Sequence, residues 1–140
     1  MTTIVGFGNS LRGDDSFGID CIKALKKEIK SNKVNLFTKQ QLLPELCLDL
    51  LDSKKIVFID ASYDEEKDYI LACKLKQQTI NALTHHISPH TIIYTMKNLF
   101  YKEFEYEIYS MYCNSFDKIK DEKKYKECVE SVVSFLKTNY

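Results

Sequence analysis

Three groups of residues in this chain have types and spacings that could do chemistry. The first is the stretch "GFGNSLRGDDSFG" (6–18), with two adjacent carboxylates, Asp14 and Asp15, among glycines. The second is Asp60, which follows four apolar residues in "KIVFIDAS". The third is "HHISPH", which holds all three histidines of the chain, His85, His86 and His90. Asp15, Asp60 and His90 would offer two oxygens and one nitrogen. Two ionised carboxylates brought close raise each other's pKa unless a cation sits between them. A mixed oxygen and nitrogen set suits zinc or nickel better than a calcium or magnesium cage. A coordination position left open marks a catalytic or transfer site.

Plainer roles compete for each residue. Asp14 reads as the cap of a helix that begins near Ser16, because an aspartate there accepts from orphan backbone N–H groups. Asp15 would then be the functional member of the doublet. Asp60 reads either as a loop cap at a strand end or as a carboxylate facing Asp15 across a crevice. His86 and His90 have helical ligand spacing, but Pro89 prevents one continuous helix between them. His90 then falls in the first turn of the next helix, either as a metal ligand or as a group that moves a proton. His86 stays open between the two kinds of role, and His85 reads as solvent-exposed.

The glycines invite comparison with a dinucleotide fingerprint. Gly6 and Gly8 match its first two glycines, but the third position is Leu11, and two acids stand where a pyrophosphate needs a helix N-terminus. Like charges repel, so a Rossmann-type nucleotide enzyme is the weaker reading. No serine or cysteine is visibly paired with a base, which disfavours a covalent mechanism.

The elements that must hold these residues follow from hydrophobic pattern. Strands are expected over 3–8, 34–38, 55–61, 69–75 and 104–112. Ile19, Ile22, Leu25 and Ile29 recur at helical spacing and predict a helix over about 16–30. "LPELCLDLLD" (43–52) reads as a short helix with Pro44 at its first position. Ser88 reads as the N-cap of a helix that continues through "PHTIIYTMKNLF", and Tyr125 to Leu136 mark a C-terminal helix. The fourth strand returns too soon for a helical crossover, so it should run antiparallel to its neighbour. The expected class is α/β: a three-layer sandwich whose twisted sheet has about five strands, mostly parallel with one antiparallel, and helices on both faces. In such sheets ligands bind beyond the carboxyl ends of the strands, where all three groups above are expected.

Composition narrows the classes. The 140 residues read as a single domain spanning 1–140. With 20 basic and 20 acidic residues the formal net charge is +0, which speaks against a nucleic-acid partner. No apolar run approaches the roughly 20 residues that span a bilayer, so no membrane partner is expected. The N-terminus does not read as a signal peptide. The five cysteines are dispersed, with no CxxC, and read as free thiols in a reducing cytoplasm.

The motifs together resemble the hydrogenase maturation endopeptidases, which process the large subunit of nickel-iron hydrogenases. That family's opening pattern is close to GxGNxLxxDDGxG, and "GFGNSLRGDDSFG" departs from it only at Ser16, where glycine is usual. "FIDAS" and "ISPH" follow in the family's order, and "QQLLPELCLDLL" resembles members that serve NAD-reducing or bidirectional hydrogenases. The resemblance runs from about residue 3 to 100. It implies nickel contacts at Asp15, Asp60 and His90. It also implies substrate contacts at Gly6, Gly8 and Asn9, and at Gln41 and Glu45. The implied reaction removes a C-terminal extension from the large-subunit precursor. No permanent cofactor is implied: the substrate supplies the nickel, and zinc or cadmium could occupy the site. A monomer is expected. A non-catalytic, nickel-dependent checkpoint protein would use the same three residues.

Overall fold

The computed structural model describes residues 1–9, 13–75, 88–114 and 116–140. Its strands are β1 (Thr2–Phe7), β2 (Val34–Lys39), β3 (Lys55–Tyr63), β4 (Ile70–Leu75) and β5 (Glu105–Cys113). They form one sheet in the order β2-β1-β3-β5-β4. The pairs β1–β2, β1–β3 and β3–β5 are parallel, and β4–β5 is antiparallel. The helices are α1 (Phe17–Glu28), α2 (Leu46–Asp49), α3 (Pro89–Phe100) and α4 (Glu122–Asn139), with a 3-10 turn over Gly13–Ser16 ahead of α1.

Alternation along β3 shows how the layers form. Val57 and Ile59 pack with α1 and α4 on one face, while Ile56 and Phe58 pack with α2 and α3 on the other. All four are fully buried, which is why this stretch reads as a continuous apolar run. The expected α/β sandwich with one antiparallel strand is therefore what forms. Among the described residues no helix is long and apolar enough to cross a membrane.

β4 runs antiparallel to its neighbour, as expected; that neighbour is β5, which puts β4 at the sheet edge. The chain that passes through α3 returns between β3 and β4, as the parallel β3–β5 pairing requires. Pro44 does not open a helix. It sits in a turn, and α2 is a single turn with Glu45 at its N-cap position. β3 runs on to Tyr63, so Asp60 lies inside the strand and not at its end. It is nevertheless level with the end of β1, because Gly6 pairs with Ile59. Four of the five free cysteines are buried, but Cys73 on edge strand β4 is exposed. His85 and His86 lie outside the described residues.

Candidate functional site

The end of β1 and the start of α1 approach so closely that the space beside Gly6 and Gly8 is filled by backbone. A Cβ on Gly8, whose φ is +151°, would meet the Asp15 carbonyl oxygen at 1.9 Å. A Cβ on Gly6 would meet the Gly18 carbonyl oxygen at 2.0 Å. These glycines bring the start of α1 onto the end of β1. The space beside the Gly8 Cα is taken by the Asp15 backbone. The turn also holds the Asp15 side chain: the backbone N–H of Asn9 donates to Oδ2 at 3.1 Å. Gly8, Asn9 and Asp15 are thus brought together.

Asp14 does not cap a helix. The N-cap position of α1 is Ser16, and its side chain makes no capping bond. Asp14 points inward, fully buried. The Tyr69 hydroxyl donates to its two oxygens at 3.2 Å each. The same hydroxyl accepts from the backbone N–H groups of Lys120 and Asp121, at 2.9 and 3.1 Å. One phenol therefore ties the motif turn to the N-terminus of α4. Tyr69 itself is held at a positive φ of 55°, a conformation that persists in a bulky residue only where surroundings fix it. Tyr69→Phe should cost about 2–3 kcal/mol, because it leaves a buried carboxylate and two backbone donors without their partner. Urea denaturation measures this directly.

Burial pushes the Asp14 carboxyl above its usual range, against the opposing effect of the Tyr69 hydrogen bond. A carboxyl raised on folding favours its protonated form in the native state. Its contribution is fully present below the unfolded value, near 3.8, and is lost as pH rises through the folded value. Asp14→Asn keeps an acceptor for Tyr69 and removes the buried charge. The variant should therefore be the more stable protein at pH 7, with the difference shrinking toward pH 4, as paired urea titrations at the two pH values would report.

A second network flanks the turn. The Ser16 hydroxyl lies 2.7 Å from the Gly13 carbonyl, 3.0 Å from Asp20 Oδ2 and 3.1 Å from the Tyr125 hydroxyl. Tyr125 donates to Asp20 Oδ2 at 2.5 Å, and its ring meets Phe17 edge to face at 5.9 Å. Burial, then the bond to Asp20, drives the Tyr125 hydroxyl upward in pKa. The serine that departs from the expected glycine is thus integrated by α4. Nothing near it in sequence signalled this, since Tyr125 lies 109 positions away.

Asp60 and His90 stand on the α2/α3 side of the sheet. Asp60 pairs in register with Ser110 of β5, whose hydroxyl donates to Oδ1 at 2.5 Å. His90 lies in the first turn of α3, behind Pro89, and Ser88 caps that helix by accepting from the Thr91 N–H. The His90 Nδ1 lies 3.0 Å from the Tyr106 hydroxyl. Gln41 and Glu45 are exposed ahead of α2. Among the described residues no three His, Cys, Asp or Glu side chains form a ready-made metal site. Asp15, Asp60 and His90 therefore occupy adjoining elements without closing around one point. The sequence pattern assigns no site role to Tyr69, Tyr106, Ser110 or Tyr125. Only the alternation of "FEYEIYSMY", with its wetter face, hinted at two of them.

No family model matches the chain, and neither does any curated protein sequence. Solved structures do match. The [NiFe] hydrogenase maturation protease HycI from Thermococcus kodakarensis superposes with a TM-score of 0.78 at 19% identity, over 98% of this chain and 90% of that one. The hydrogenase maturating endopeptidase HybD from Escherichia coli gives 0.74 at 18% identity, over 99% and 93%. HybD from Thermococcus kodakarensis gives 0.65 at 18% identity, over 98% and 97%. Across nearly its whole length, this chain has the fold of the hydrogenase maturation proteases.

Proposed function

We propose that this protein is an endopeptidase that removes a C-terminal extension from the precursor of a nickel-iron hydrogenase large subunit, and that it recognises nickel already placed in that precursor. The observation that carries the proposal is the motif turn. In a fold shared end to end with maturation proteases, the doublet divides its labour: Asp14 is buried under Tyr69, while the Asp15 side chain is held by Asn9 at the sheet's carboxyl edge.

In this reading Asp15, Asp60 and His90 close on the substrate's nickel, two carboxylates and an imidazole matching a borderline divalent ion. The metal brought by the substrate would complete the set. A metal held there would polarise the scissile carbonyl and lower the pKa of an attacking water. The water's oxygen bonds to the carbonyl carbon, the C–N bond breaks, and the departing nitrogen takes up a proton given by that water. The products are a mature carboxyl terminus and a short peptide. Gly6 and Gly8, buried against Gly18 and Asp15, shape the motif turn, Asn9 brings its backbone close to the substrate, and exposed Gln41 and Glu45 contact the partner subunit. The protein works as a cytoplasmic monomer without a resident cofactor.

The test is incubation of the purified chain with nickel-loaded precursor. A large subunit shortened by its C-terminal peptide, seen by intact-mass spectrometry, supports the protease. A stable complex with uncut precursor would instead make the protein a nickel-dependent checkpoint.

A further inference from the structure

Strand β5 supplies a partner to each of two residues that the proposed site needs. Ser110 is only 1% exposed, and its hydroxyl donates to Asp60 Oδ1. Tyr106 lies earlier on the same face of β5, since residues two apart share a face. Its hydroxyl oxygen stands 3.0 Å from His90 Nδ1, and the two rings meet edge to face with centroids 5.6 Å apart. Neither contact is demanded by core packing: phenylalanine would fill the first position, and alanine nearly the second.

We infer that Tyr106 and Ser110 are positioning residues for metal recognition, with Tyr106 accepting the Nδ1 proton of His90 and Ser110 fixing the carboxylate plane of Asp60. The inference rests on the metal-recognition reading above. A neutral imidazole carries one N–H and one lone pair, and the partner of one nitrogen decides which is which. A proton on Nδ1, donated to the Tyr106 oxygen, leaves the lone pair on Nε2, the nitrogen that would meet nickel. Ser110 acts on the carboxylate in the same sense. It accepts no metal itself, yet its hydrogen bond to one oxygen restricts rotation of the group. Outer partners of this kind are typically worth 10- to 100-fold in metal affinity.

Cadmium(II) alone is the probe. In calorimetric titration of the full chain, Tyr106→Phe and Ser110→Ala should each bind cadmium about tenfold more weakly than wild type, and Ser110→Thr, which keeps the hydroxyl, should recover most of the loss. In the metal-free wild-type protein, long-range proton–nitrogen NMR should find His90 protonated at Nδ1. In Tyr106→Phe the proton should move toward Nε2, a change that a merely structural tyrosine would not produce. Wild-type cadmium binding that both variants match would overturn this inference and leave the metal reading standing. So would a wild-type His90 protonated at Nε2, a result that needs no variant to fold. Absence of cadmium binding by the wild type itself would bring down the metal reading and this inference with it.

Discussion

Asp15→Asn should leave the chain folded and reduce cleavage of nickel-loaded precursor by roughly a thousandfold. The fold should survive because the bond that orients the side chain is made by the Asn9 N–H to Oδ2, and an asparagine oxygen accepts from that donor as well. What the substitution removes is charge. A carboxylate about 4 Å from a single positive charge, at an effective dielectric of about 20, gains roughly 4 kcal/mol. Spent wholly in the transition state, that amounts to about three powers of ten in rate. The readout is the time course of precursor shortening by mass spectrometry, with far-UV circular dichroism as the check on folding. A variant that cuts at the wild-type rate would remove Asp15 from the site. A variant that no longer retains nickel-loaded precursor on a column would place its role in recognition, whereas one that retains but does not cut would place it in the chemical step.

The sequence made the layers legible because burial on two faces leaves a simple mark. "KIVFIDA" is apolar without alternation, and β3 is covered on both sides. Ser88 followed by Pro89 announced the start of α3, and the cap forms as expected. What stayed hidden depends on contacts between distant segments. The neighbour of β4 is decided by where the chain re-enters the sheet after α3, which local pattern does not encode. Asp14 has the composition of a cap, but it lies within the 3-10 turn Gly13–Ser16 and turns inward toward a tyrosine 55 positions away. Pro44 is ambiguous in sequence for a related reason: its fixed φ suits a turn as well as a helix start. At the site itself, the types Asp15, Asp60 and His90 stood out as chemistry-bearing, whereas Tyr106 and Ser110 looked like ordinary strand residues. Their meaning appears only when β5 is seen to lie beside β3.

Gly8→Ala should be the most damaging single methyl in the molecule. The added carbon would stand 1.9 Å from the Asp15 carbonyl oxygen, far inside any real contact, and that neighbour is backbone. It cannot swing aside as a side-chain tip would. The φ of +151° is a second obstacle, since a residue with a Cβ held in such a region costs of order 1–3 kcal/mol. Overpacking typically adds about 1–3 kcal/mol more. Together these approach 4 kcal/mol, a large share of the roughly 5–15 kcal/mol that holds a domain folded. The turn has one way to relax: Asp15 must move away from Gly8, and with it the Asn9 N–H bond that aims the carboxylate. Two losses are therefore expected together, a lower urea midpoint and a cleavage rate reduced beyond what the remaining folded fraction accounts for. The comparison with Asp15→Asn separates them, since that variant should lose rate at unchanged stability. If Gly8→Ala kept both its stability and its rate, the glycine would not be serving close approach, and the tight turn would no longer explain why Asp15 points to the sheet edge.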